Sequence, residues 1–387
     1  MSTRRFRSVA RCRLLRVLMG ACVSQMVCGE LFADWIMHRG DPRLSGVSKM
    51  EAPGLPKLSW SFAAGRAVKG GAAIGGGRVF VGDESGAIHA LELKSGKALW
   101  SFKTEGSVEA TPLLLNGQVI VGSSDARLYS LDAETGALRW KYETGDKIMG
   151  GANFAKAPEG DEHWVLVGSY DSHLHCVHAG TGEGVWKVET ENYINGTPAL
   201  LPGGEVIFGG CDAVLRVVSL KDGKALRQIE AEAYVASSVA VAEDGKAYVG
   251  HYGNLVLGMD PREAKVLWRY RDRNFPYLSS AAVTAETVVI GGNDKRIHGI
   301  RRGDGAGLWQ VATRGKVDAS PVVCGDAVVV GSMDGRLYCV ALKDGAERWT
   351  YEIGSPLVAS VAVSEGWIVV GAEDGSVYGL QTKPMNP

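Results

Sequence analysis

The stretch "GSMDGRLYCVALKDGAERW" (Gly331–Trp349) is written twice more in nearly the same form: "GSYDSHLHCVHAGTGEGVW" (Gly168–Trp186) and "GSSDARLYSLDAETGALRW" (Gly122–Trp140). Alignment on its leading glycine gives eight copies, at Gly82, Gly122, Gly168, Gly209, Gly250, Gly291, Gly331 and Gly371. Seven residues beyond each glycine stand His89, Tyr129, His175, Arg216, Leu257, His298, Tyr338 and Tyr378. Tryptophan closes each copy at 100, 140, 186, 268, 309 and 349, with one more at Trp60; only the fourth copy departs, with Arg227. A period of about 40 residues carrying four short apolar runs is the signature of a β-propeller blade.

Within one copy, 107–115, 118–125, 126–136 and 137–144 read as four strands. Small residues dominate the innermost strand, where blades crowd the axis. The outer Trp fills the wedge between diverging blades. The Asp of the second turn (Asp125, Asp171, Asp212, Asp294, Asp334, Asp374) suits the positive φ of a tight hairpin. Arg227 leaves the fourth blade the least well filled.

The last copy stops after its third strand, whereas "KLSWSFAAG" (57–65) is a Trp strand without a copy before it. It can complete the last blade and remove two open sheet edges. The expected fold is therefore all-β: an eight-bladed β-propeller of four-stranded blades over 57–382, closed by an N-terminal strand. A lead-in (34–56) precedes it and a short tail (383–387) follows.

Residues 1–33 are a basic stretch, then a short apolar run, then "GELFA", the order of a secretory signal. The apolar run is too short to span ~30 Å of hydrocarbon, and no later segment is long enough. Export to the periplasm or the outside follows, with an attachment at the outer membrane left open. Loss of six Arg and Glu30 with such a leader leaves 36 basic against 42 acidic side chains. That balance argues against a nucleic-acid partner. The four later cysteines read as unpaired thiols, Cys176 and Cys339 at a position that otherwise takes Ala, Ser or Gly.

The pattern "LDAETGALRW" and its repeats resemble the pyrroloquinoline-quinone (PQQ) propeller repeat over roughly residues 57–381. Two branches of that superfamily bear on function. Quinoprotein dehydrogenases hold PQQ and Ca²⁺ on the axis, and the BamB-type outer-membrane assembly factors use the ring as a binding scaffold. The dehydrogenase branch implies adjacent cysteines and long inter-blade insertions. Neither occurs here, so the resemblance carries the fold and no cofactor.

No Ser–His–Asp, HExxH or CxxC pattern is present. "HLHCVH" (173–178) has the spacing of a metal ligand set, but His175 falls at the shared aromatic position, so packing accounts for it. The departures from the repeat lie on one rim. The register before each innermost strand places Tyr193, Tyr234 and Tyr277 in one slot of blades four to six. "RYRDRNFPY" (269–277) adds Arg271, Arg273 and Phe275, and "GHYGN" in blade five adds His251 and Tyr252. Aromatics with Arg are the composition of protein-binding hot spots. Further in, Lys69, Glu109, Met149, Asn195, Ala236, Ser279, Asp318 and Val358 ring the axial mouth; Glu109, Asn195 and Asp318 are not on adjacent blades, which disfavours a Ca²⁺ cage. The expected function is that of a non-catalytic, monomeric scaffold for a protein partner in the cell envelope. The rival is a small quinoprotein oxidoreductase with PQQ on the axis.

Overall fold

A computed structural model describes residues 35–364 and 366–385. The leader expected over 1–33 lies outside them. Every regular element among the described residues is a strand. Eight sheets form the blades, seven of them around four consecutive antiparallel strands; blade two is Leu113–Leu115, Gln118–Gly122, Arg127–Asp132 and Leu138–Glu143. In blade eight the outer strand is Lys57–Ala63, paired antiparallel with Ser376–Gln381. The ring closes as the sequence implies.

The innermost strands are shorter than expected. Residues 107–112 form no ladder, because their neighbours at the axis are other blades. There, backbone N–H groups donate to hydroxyls one blade on: Thr197 to Ser238 (2.9 Å), Ser238 to Ser280 (3.0 Å), Ser280 to Ser320 (2.9 Å) and Ser320 to Ser360 (3.0 Å). Small hydroxyl residues thus satisfy groups that would otherwise be buried without partners.

At the outside, each indole does more than fill a wedge. Save for Trp349, which donates to Pro53 of the lead-in (2.8 Å), its N–H donates to a carbonyl of the next blade, as from Trp60 to Leu93 (2.8 Å), Trp140 to Ala179 (3.0 Å) and Trp268 to Arg302 (2.9 Å). The ring lies on the third-turn glycine of that blade. A Cβ at Gly96, Gly182 or Gly305 would come within 2.7 Å of Trp60, Trp140 or Trp268.

Second-turn aspartates play a different part from the one expected. Positive φ falls on the next residue, as at Ala126, Ser172, Ala213 and Lys295. The carboxylate instead holds the side chain four residues on: Asp125 with Tyr129 (2.7 Å), Asp171 with His175 (3.0 Å), Asp212 with Arg216 (2.7 Å) and Asp334 with Tyr338 (2.7 Å). In blade one Asp83, two positions earlier, reaches His89 (3.1 Å). His175 is therefore a polar partner, not merely packing.

The lead-in does most that the sequence did not reveal. Residues 35–54 run once around one end of the axis, hydrogen-bonding each blade in turn. Trp35 exchanges bonds with Ile74, and Ile36 accepts from Leu114. Pro42 accepts from Asn153 Nδ2 and Leu200 N, Arg43 from Val241, Ser45 from Val283 and Gly46 from Val323. Val47–Ser48 then pairs parallel with Val322–Cys324, and Gly54 N reaches Lys383 of blade eight. Arg39 is buried at its centre and donates to Ala281 O (3.1 Å) and Pro321 O (2.5 Å).

Candidate functional site

The rim opposite this strap carries the turns between second and third strands. One residue before each innermost strand points inward against the landmark glycine of the preceding blade. Val108 packs on Gly82, Ile148 on Gly122, Ile194 on Gly168, Val235 on Gly209 and Val317 on Gly291. In blade six that residue is Tyr277, which meets Gly250 and is 1% exposed. It packs beside Tyr270 and His298, with ring centroids 6.2 and 5.2 Å away. The expected slot was therefore misread by one position. The backbone confirms it: Cys211 N donates to Tyr193 O, Tyr252 N to Tyr234 O and Asn293 N to Pro276 O. Pro276, not Tyr277, is the counterpart of Tyr193 and Tyr234.

His251 is a second correction. It is fully buried, with Nδ1 accepting from Gly253 N (2.9 Å) and Nε2 without a partner. Burial holds its pKa below the ordinary value. Neither residue belongs to an exposed face.

The remaining rim residues are exposed: Tyr193, Tyr234, Tyr252, Phe275, Arg271 and Arg273. Tyr170, half-buried and missed by sequence reading, lies beside them. It stacks on Tyr193 with centroids 4.7 Å apart and planes 7° from parallel, and Lys147 Nζ lies 4.6 Å from its ring centroid. The missed signal was the turn position shared by Tyr170 and Tyr252, two residues beyond Gly168 and Gly250. An aromatic arc therefore covers blades three to five, with the Arg271–Phe275 loop beside it.

Lys69, Glu109, Met149, Asn195 and Ala236 line the axial channel with Val358, as expected; Leu278 stands where Ser279 was placed. Ser279 is buried and donates to Gly291 O. Lys69 is ion-paired to Glu84, and Asn195 donates to Cys211 Sγ (3.1 Å). Asp318 is half-buried with Oδ1 lacking a partner, and burial raises its pKa. The channel offers about 180 Å³ and ends on His38 of the strap. That volume is below the ~300 Å³ at which small-molecule pockets begin. Its mouth is a poor match to a Ca²⁺ cage, since Glu109 and Asn195 are separated by the blade of Met149 and the Lys69 ammonium stands at the same mouth. On the strap side a cavity of about 990 Å³ lies against blades five and six. The cysteines at 176, 211, 324 and 339 are free, and burial pushes the Cys339 thiol up to about 12.

The family model described as outer membrane protein assembly factor BamB matches residues 56–167, 170–316 and 293–384. The chain belongs to this PQQ-repeat family. No curated protein matches it in sequence. Among solved structures, BamB from Moraxella catarrhalis is similar at TM-score 0.68 and 17% identity, over 84% of this chain and 100% of that one. The quinohemoprotein alcohol dehydrogenase ADHIIG from Pseudomonas putida HK5 is similar at TM-score 0.77 and 12% identity, over 92% of this chain and 81% of that one. A europium-containing methanol dehydrogenase gives TM-score 0.72 at 13% identity, over 90% and 98%. At these identities the structural likenesses establish the shared fold of PQQ-repeat proteins. No helix among the described residues is long and apolar enough to cross a membrane.

Proposed function

We propose that this PQQ-repeat propeller is an exported, non-catalytic scaffold that binds a protein partner in the cell envelope through the rim of blades three to five. The observation that carries the reading is the arc of exposed Tyr193, Tyr234 and Tyr252 with half-buried Tyr170 stacked on Tyr193, and Arg271, Arg273 and Phe275 beside it. Tyrosine and arginine bury large areas at low entropic cost and dominate binding energy at protein interfaces. The ring does not need Tyr193 and Tyr234 for its own packing, since the same rim position holds Ala67, Ser107 and Pro356 in other blades. The narrow, strap-closed channel supports a role without a quinone.

The test is photo-crosslinking in envelope membranes, with the photoreactive residue at 234 or 275 and a control at 221 on the strap-side edge. A discrete protein adduct from the rim positions alone is expected, and it should be lost when Tyr193 and Tyr252 are changed to Ala. Equal labelling from 221, or none from the rim, would remove the binding face. A stoichiometric quinone chromophore and dye-linked oxidation after addition of PQQ and Ca²⁺ would instead establish the oxidoreductase.

A further inference from the structure

Blade six breaks the rule for second-turn aspartates in a way that creates a vacant set of ligands. In blades two, three and seven, the carboxylate oxygen that holds the side chain four residues on also takes a backbone N–H from the segment entering the blade. Asp125 takes Glu105 N (2.9 Å), Asp171 takes Gly145 N (2.8 Å) and Asp334 takes Arg314 N (2.8 Å). The longer loop entering blade six supplies no such donor to Asp294. It brings up the carboxylate of Asp272 instead.

Asp294 Oδ1 lies 3.1 Å from His298 Nε2, and Oδ2 is buried without a partner; the two side chains are 2% and 0% exposed. One ligand atom each from Asp272, Asp294 and His298 lies within 4.8 Å of the others. Two arginines approach Asp272 Oδ2 without reaching hydrogen-bond distance, Arg273 at 3.7 Å and Arg296 at 3.9 Å. Gly292 keeps the space open: a Cβ there would come 2.5 Å from Asp294 Oδ1 and 3.2 Å from His298 Nε2. Blades two, three and seven have Ser123, Ser169 and Ser332 at that position. The adjacent Asn293 also has a buried side-chain oxygen without a partner.

A buried carboxylate with an orphaned oxygen, grouped with a second carboxylate and an imidazole, is costly unless a cation neutralises it. We propose that Asp272, Asp294 and His298 form a site for one divalent transition ion, Zn²⁺ or Mn²⁺. Mixed carboxylate and imidazole ligands suit these ions, with water completing the shell. The outer partner expected of a metal-binding histidine is in place, since His298 Nδ1 lies 3.1 Å from the Tyr270 hydroxyl. The ion would tie the inserted loop, with Arg273 and Phe275, to the blade beneath it.

The test is calorimetric titration of ZnCl₂ and of MnCl₂ into the EDTA-stripped full-length protein. One saturable site per chain is expected for at least one ion. Asp272→Ser, on the surface loop, should weaken it by at least about tenfold, the lower end of what even an outer partner contributes. His298→Tyr should abolish it while preserving the fold, because Tyr129 and Tyr338 pair with aspartate at this position. Absence of a one-to-one event with either ion overturns the proposal. So does parent-like affinity in Asp272→Ser, which would place the ion elsewhere, for instance among His163, His173 and His178.

Discussion

Arg227 and Ala264 depart from the repeat together. Arg227 takes the tryptophan position of blade four, and Ala264 takes the third-turn glycine position of blade five, on which that tryptophan would lie. Ala264 keeps the positive φ of the glycines it replaces, at 52°. Beneath Arg227, Val217 fills the cross-strand position that is Ala90, Ser130 or Cys176 elsewhere, and Arg227 is ion-paired to Glu205. The fourth seam thus differs from the others at three positions at once, which matches the absence of the tryptophan.

It follows that Arg227→Trp alone should destabilise the ring by about 1–3 kcal/mol, the usual cost of overpacking. Adding Val217→Ala and Ala264→Gly should recover most of the loss, as residues in contact are coupled. Urea denaturation of the single and triple variants measures this. An additive triple variant would mean that the three positions are independent.

Trp60 ties blade eight to blade one, being buried and bonded to Leu93. Trp60→Ala should cost about 3–5 kcal/mol. Deleting 57–63 should expose the Ser376–Gln381 edge and lower the melting temperature of the entire ring. An unchanged cooperative melt after the deletion would contradict closure by this strand.

The tyrosines separate into two kinds. Tyr277→Ala should cost about 3 kcal/mol through the cavity it leaves, whereas Tyr234→Ala, 55% exposed, should change stability by no more than about 0.5 kcal/mol. Only the second should impair partner binding without unfolding. Equal losses of stability would place Tyr234 in the core.

His251 makes stability depend on pH. Its folded-state pKa is depressed by burial, so between that value and the unfolded value near 6.5 the unfolded chain binds the extra proton. Stability is present above about pH 6.5 and is lost as pH falls below it. His251→Ser, the residue of blades two, three and seven, should flatten the fall in melting temperature between pH 7 and 5. A slope identical to the parent's would assign the acid sensitivity to other groups, such as His175, whose pKa burial also lowers.

The blades were legible because glycine, tryptophan and turn residues recur at fixed spacing, each for a steric reason that any copy must obey. Tyr277 was misplaced because "RYRDRNFPY" carries an insertion just where the register must be counted. The inward aliphatic of each blade would have resolved it, since Val68, Val108, Ile148, Ile194, Val235, Val317 and Leu357 mark the step and Tyr277 is the large member of that set. The strap was illegible for a different reason: its bonds are mostly made by backbone, which leaves no side-chain pattern. Likewise, the burial of His251 depends on which way a two-residue turn faces.

The pairing of Lys57–Ala63 with Ser376–Gln381 leaves the molecule without a terminal unit. A linear array frays from its ends, but here the first blade-forming strand waits for the last, some 310 residues later on the ribosome. Seven blades can be laid down in order while the eighth, and with it the strap's circuit, stays open until the final strand emerges. Once shut, no blade can detach without parting two seams and the strap together. Resistance to proteolysis should therefore arrive late and all at once, and be lost in the same manner.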